Sequence, residues 1–231
     1  MTSTLLILAS AWLVFATLCA ALSRNPRGDA LSGLALVLLR LYVRLFHHLR
    51  IEGREHIPPD PTINGRTVLI VANHTAGLDP LLIQSAVRYF VRWMMAADMQ
   101  GPPWLKPMWD FAEVILVQRH GATEVAGVRE AVRSLKGGHP VGVFPEGRLE
   151  RVRGTIEPFL DGTGLLIART RPIVVPVSIR GTPHCRSSWR SLLIPSRSRI
   201  RFHAPIDYHA LRTKADQIAP DLEARFREWT R

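Results

Sequence analysis

The stretch Thr67-Val68-Leu69-Ile70-Val71-Ala72 runs without a break into Asn73-His74-Thr75-Ala76-Gly77-Leu78-Asp79-Pro80. Six apolar or β-branched residues with no polar alternation predict a strand covered on both faces, as in a parallel sheet. The polar segment that follows places reactive side chains at the carboxyl end of that strand, where open α/β sheets carry their ligand sites. Asp79 and Pro80 also read as a helix start, an N-cap acid followed by a first-turn proline.

Working outward, further β-type runs lie at 112–117 (AEVILV), 141–144 (VGVF), 173–179 (IVVPVSI) and 200–203 (IRFH). Helical patterns cover 80–93, 123–135, 164–170 and 219–231. This alternation predicts an α/β domain over residues 51–231, with a mainly parallel central sheet flanked by helices. Residues 1–50 are a separate unit, N-terminal membrane-associated helices that precede the domain.

Residues 5–22 read LLILASAWLVFATLCAAL, an uncharged run just long enough to cross a bilayer once. A secretory signal peptide is the competing reading. The lack of a basic side chain in residues 1–4, and a run longer than a signal's apolar core, favour an anchor. Arg24 and Arg27 follow at once, which places the rest of the chain on the cytoplasmic side of the cytoplasmic membrane. In residues 31–49, Arg40, Arg44 and His47 or His48 recur at helical spacing among Leu, Val, Tyr and Phe. Such a helix lies in the headgroup plane with its cations toward phosphate, or buries itself against the domain with its arginine heads reaching outward. Asp29 is its expected N-cap, and Gly53 lies beyond its end.

Charge agrees with an anionic surface as partner. The chain has 231 residues, Lys+Arg 30 against Asp+Glu 19 and a formal charge of +11, yet is 47% hydrophobic. A disordered basic tail is excluded, and the length suffices for one sizeable core. Residues 162–206 hold no acid but include Arg169, Arg171, Arg180, Arg186, Arg190, Arg197, Arg199 and Arg201. A solvated face is the plain alternative for such a run. Its few aromatics and the apolar N-terminus count against nucleic acid and for anionic lipid headgroups. Cys19 and Cys185 form neither a disulfide framework nor a metal spacing, as expected of a reducing compartment.

The candidate chemistry begins with His74 and Asp79. If they meet, the carboxylate holds the imidazole in one tautomer, and the other ring nitrogen can take a proton from an alcohol. On a continuous helix, side chains five positions apart point about 140° from each other. A turn must therefore intervene, and Gly77 is the residue to supply it; otherwise Asp79 is merely a cap. No G-x-S-x-G occurs, so the hydroxyl to be activated belongs to a substrate. The segment 143–148 (VFPEGR) brings Glu146 to another strand end, with Gly147 allowing close backbone approach to a ligand or forming only an exposed turn with Arg148. Arg119, just past 112–117, arrives on the same edge and suits a phosphate by bidentate hydrogen bonding. Trp104, Met108 and Trp109 line an acyl groove, dip into lipid or pack in the core. His47-His48 belongs to the basic stripe, and His120, His139 and His184 lack ligand-spaced partners. No metal site is expected.

Taken together, NHTAGLD at 73–79, FPEGR at 144–148 and IVVPVSI at 173–179 resemble the glycerolipid acyltransferase family, which includes the bacterial lysophosphatidic acid acyltransferases. Four recurrent blocks occur in order: 73–80, the strand leading to Arg119, 144–148, and 173–177 with Pro176. The resemblance covers about residues 51–180. It implies acyl transfer from an acyl thioester to a lysolipid hydroxyl, with His74 as base and Asp79 as its partner. Asn73, Arg119, Glu146, Gly147 and Arg148 would lie near the acceptor, with Gly77, Pro145 and Pro176 shaping the site and a backbone N–H near Gly147 as an oxyanion donor. No cofactor is implied; acyl-CoA or acyl carrier protein thioester is a co-substrate, and the arginine run would meet its anionic surface. Many members have a Phe-Lys-x-Gly stretch after the third block, whereas 158–164 reads PFLDGTG, more similar to the 2-acylglycerophosphoethanolamine acyltransferases. Lysophosphatidic acid is the first expected acceptor and lysophosphatidylethanolamine or another lysolipid the next. The reading from a different class is a non-catalytic, basic lipid-binding protein at the membrane surface.

Overall fold

A computed structural model describes residues 2–118, 124–150, 152–185 and 187–230. In chain order its elements are α1 (Thr2–Leu22), α2 (Ala30–Leu45), β1 (Arg50–Glu52), β2 (Thr62–Ile63), β3 (Arg66–Ala72), α3 (Asp79–Ala86) and β4 (Arg92–Ala96). There follow α4 (Lys106–Phe111), β5 (Ile115–Val117), α5 (Glu124–Lys136), β6 (Val141–Val143), α6 (Asp161–Thr170), β7 (Ile173–Arg180), β8 (Arg199–Phe202) and α7 (Ala215–Trp229). The sheet runs β1-β8-β7-β3-β6-β4-β5, with β2 paired antiparallel to the start of β3. Strands β7, β3, β6, β4 and β5 are mutually parallel, and along the β1-to-β5 path of described strands only the β7–β8 pairing reverses direction.

The expected double burial of 67–72 is observed. Leu69 and Val71 enter one core with side chains of α5, α6 and α7, while Val68, Ile70 and Ala72 enter a second with Val43 of α2 and Leu82 and Ile83 of α3. Helices thus cover both faces, and β3 lies at the centre. In β7, Pro176 sits opposite Val71 of β3. Its carbonyl accepts from His203 N, just past the last residue of β8, so its ring nitrogen faces the side where the β8 ladder has ended and costs no strand bond.

Several boundaries depart from the sequence expectations. The helix expected over 80–93 stops at Ala86, because the Gln84 side chain bonds Tyr89 O and Val91 N and turns the chain, and β4 follows. Trp93 is therefore a sheet residue, not a helical one. The strand expected over 112–117 begins only at Ile115, since α4 ends at Phe111 and Glu113 adopts a left-handed φ of 51°. α6 and α7 start earlier than expected, at Asp161 and Ala215, with Pro220 inside α7.

α1 is one helix apolar enough and long enough to cross a membrane, with none of its length buried in the protein. Asp29 caps α2 as expected, its carboxylate accepting from Ser32 N. Leu31, Leu34, Leu38, Leu41 and Leu45 of α2 are exposed, while Leu36 and Val43 pack inward. His47 is not part of an exposed basic stripe. It is fully buried beyond the end of α2, between Ser196 and the Tyr42 hydroxyl, and burial lowers its pKa. Arg27 reaches the domain instead of open water, bonding Phe111 O and Glu113 and lying over the Phe90 and Phe111 rings. The arginine run is also less unopposed than the sequence implies: Glu52 of β1 pairs with both Arg199 and Arg201, and Arg180 donates to Trp229 O.

Candidate active site

Parallel strands β3, β6 and β7 end on one edge, and the loops leaving them build the site. The loop after β3 brings His74 back to Asp79, the first residue of α3, with Nδ1 3.0 Å from Oδ2. Asp79 does not cap its helix. Its fully buried carboxylate turns back on the loop, where Oδ2 also accepts from Thr75 N (2.6 Å) and Ala76 N (2.8 Å) and Oδ1 from the Thr75 hydroxyl (3.0 Å). The intervening turn is real, closed by Asp79 N on Ala76 O, but Gly77 is needed for a different reason from the one expected. Its φ is not left-handed; a Cβ there would lie 2.5 Å from Ser188 O, so glycine lets the 181–198 connection press against the loop.

The loop after β6 clamps the histidine from the other side. Glu146 Oε1 accepts from His74 N (2.7 Å), and Glu150 N donates to His74 O (2.9 Å). The His74 ring stacks on Phe144 at 4.1 Å between centroids, and Phe144 stacks on Trp93 at 5.1 Å. The imidazole is thus fixed at its backbone, at Nδ1 and on one face, with its side chain still 20% exposed. No described protein group bonds Nε2. That is the geometry of a ring able to accept a proton from a bound hydroxyl.

The other expected site residues divide. Asn73 is not turned toward a ligand: its amide exchanges two bonds with the Ile179 backbone, tying the end of β3 to β7. Glu146 spends both oxygens on the backbone, Oε2 accepting from Glu157 N, and its burial raises its pKa to about 7 against the pull of those two N–H groups. Gly147 does adopt φ +65°, but its N–H closes a turn on Phe144 O and is not a free oxyanion donor, and a Cβ there would meet Leu160, not an open cleft. Arg148 pairs with Glu157 at 2.7 Å, and Pro145 O accepts from Leu160 N. These residues shape the loop that holds His74. Arg119 lies outside the described residues. Trp104 is exposed and Met108 partly so, whereas Trp109 packs near Trp189, 5.8 Å away, and bonds Gln100 O.

Sequence reasoning missed Phe144 and Trp93 as the platform under His74, and Thr75, Glu150 and Thr182 as its supports. Phe144 was in plain view within FPEGR; Trp93 and Thr182 carry no local signal, since they reach the site only through sheet order. A cavity of about 150 Å³ borders these supports, lined by Asn73, Thr75, Glu150, Arg153, Arg180 and Thr182 among others, and does not touch the His74 ring. Among the described residues no three His, Cys, Asp or Glu side chains gather as a metal ligand set.

The fold is a mainly parallel α/β sheet with a carboxylate-held histidine at its carboxyl edge, and among the described residues no serine hydroxyl bonds that histidine; such a ring is suited to taking a proton from a bound hydroxyl. The chain belongs to the Acyltransferase family, whose model matches residues 48–180. Over 134 residues it is 27% identical to the 1-acyl-sn-glycerol-3-phosphate acyltransferase of Borreliella burgdorferi, a match covering 57% of this chain and 51% of that protein. The chain thus spans about half the length of this curated relative. The crystal structure of PlsC, the 1-acyl-sn-glycerophosphate (LPA) acyltransferase of Thermotoga maritima, has the same fold: TM-score 0.68 at 21% identity, over 97% of this chain and 90% of that one.

Proposed function

We propose that this protein transfers a fatty acyl group from an acyl thioester, of CoA or acyl carrier protein, to the free hydroxyl of a lysophospholipid at the membrane surface. One observation carries the reading: His74 has Nδ1 bound to the buried Asp79 carboxylate while Nε2 has no described protein partner. With the proton held on Nδ1, Nε2 takes the proton of the acceptor hydroxyl as its oxygen attacks the thioester carbonyl. The C–O bond forms, a tetrahedral oxyanion collapses with cleavage of the C–S bond, and the departing thiolate recovers the proton from the imidazolium. Asp79 stabilises that imidazolium without itself taking the proton. No acyl-enzyme, metal or resident cofactor enters these steps.

Lysophosphatidic acid is the first acceptor, in line with the names of the relatives, and lysophosphatidylethanolamine or another lysolipid the next, because 158–164 lacks the lysine of many members. Arg119 is assigned to the acceptor phosphate. The exposed apolar α1 and the leucine face of α2 support association with membrane phospholipids, and Arg24 and Arg27 support a domain on the cytoplasmic side of the cytoplasmic membrane.

The test is thiol release by the purified full chain, one acyl donor at a time, against lysolipids that differ only in headgroup. His74→Ala should lower the rate by about 100- to 10,000-fold. A His74→Ala protein that is folded, membrane-bound and as fast as wild type overturns the mechanism. No thiol release with any of the lysolipids favours the basic lipid-binding reading.

A further inference from the structure

The two oxygens of Asp79 are satisfied unequally. Oδ2 accepts three N–H groups, whereas Oδ1, on the same buried side chain, accepts among the described residues only the Thr75 hydroxyl. A hydroxyl has one proton, and Thr75 gives its proton to the carboxylate. Its oxygen must then accept from whatever else it touches, and the donor is the Thr182 hydroxyl at 2.7 Å. Thr182 is 107 residues away in sequence and itself buried. Its place is set by Gly181, whose φ of +74° lets the chain leave β7 with Arg197 O only 2.4 Å from where a Cβ would stand. The same β7–β8 connection presses Ser188 onto Gly77, so it grips the 73–79 loop at two points.

We propose that Thr182, acting through Thr75, is a positioning residue for the His74–Asp79 dyad. The chain of hydroxyls runs one way, toward Asp79, and locks the carboxylate in the rotamer that meets His74 Nδ1. The proposal rests on the acyl-transfer reading for its kinetic consequences but not for its structural one. Among the described residues the other charged groups around the dyad include Glu146 and Glu150 from the loop after β6, His184 beside Glu150, and Arg153 and Arg180 across the adjoining cavity. They are unchanged by the variants below.

Thr182→Val keeps the shape and removes the donor. In the full-length protein in detergent micelles, kcat should fall about tenfold, the size of one net hydrogen bond, with KM unchanged. Thr182→Ser should restore kcat. The double variant Thr75→Val/Thr182→Val should be no slower than Thr75→Val alone, because the two hydroxyls act in series. Independently of substrate, 15N spectra of the His74 ring should show loss of the Nδ1–H tautomer in Thr182→Val. An unchanged kcat and tautomer, or a Thr182→Ser variant as impaired as Thr182→Val, overturns the proposal. A tautomer shift in a protein that acylates no lysolipid overturns the functional reading and leaves the positioning role standing.

Discussion

Two buried carboxylates meet His74, and they meet it differently. Asp79 holds the ring, with four donors on its oxygens; Glu146 holds the backbone, with two. Burial pushes Glu146 up to about 7 from an ordinary 4.5. The folded chain therefore retains a proton there that the unfolded chain has already released. Its contribution to stability is complete below about 4.5 and is lost as pH rises through about 7. The amount at stake is on the order of 3 kcal/mol. Denaturant midpoints at pH 5 and pH 8 should show wild type weakening as pH rises and Glu146→Gln weakening less. Equal slopes in the two proteins would mean that Glu146 is ionised throughout. Glu146→Gln should also slow acyl transfer at every pH, since an amide can accept from only one of the two N–H groups and must turn a donor toward the other. The sequence made Glu146 and Asp79 visible as acids at strand ends. Which atoms they would satisfy was not visible: Asp79 turns back on residues 74–76 of its own loop, and Glu146 reaches His74 N from 72 residues away, a separation closed only by the sheet.

At the scale of elements, the support of His74 is a stack of rings from two strand ends, Trp93 from β4 and Phe144 after β6. Gly142 of β6 makes room for it: a Cβ there would lie 2.4 Å from the Trp93 ring. Gly142→Ala should cost about 1–3 kcal/mol as overpacking. It should also lower kcat by shifting Trp93 against Phe144 and so tilting the imidazole. Thermal unfolding together with kcat checks both, and a variant that is destabilised but fully active would show that the stack does not position the ring. The sequence could not separate β4 from the preceding helix. Residues 80–93 are apolar apart from Gln84, Ser85, Arg88 and Arg92, and a short run of this kind reads equally well as strand or helix. The break is made by the Gln84 side chain, a tertiary detail of one residue. By contrast β3 and β7 were legible, because each is short, β-branched and bounded by turn residues.

At the scale of the molecule, the two N-terminal helices carry apolar side chains that the packed domain does not cover. α1 has no buried residue among those described and packs only its end on α2, which turns one leucine face outward and another side onto α3. Gly33 allows the end of α1 to cross α2 closely, with Leu22 O only 1.9 Å from where a Cβ would stand. Full-length protein should stay with membranes through alkaline carbonate, while a chain starting at Leu31 should be released in greater part. Equal release would refute α1 as the anchor. The amino-acid sequence by itself determined the class of fold, the apolar N-terminus and the residue types of the dyad, because periodicity, length and motif are local properties. Tertiary structure alone decided what each polar group does. Asn73 and Glu146 bond backbone groups around the His74 loop and Arg148 pairs with Glu157, His47 lies in the interior instead of a basic stripe, and Thr182 joins the site from the loop after β7. The physical reason is that a buried polar atom must find a partner, and the nearest one in space is supplied by strand order and loop packing, which no stretch of sequence contains.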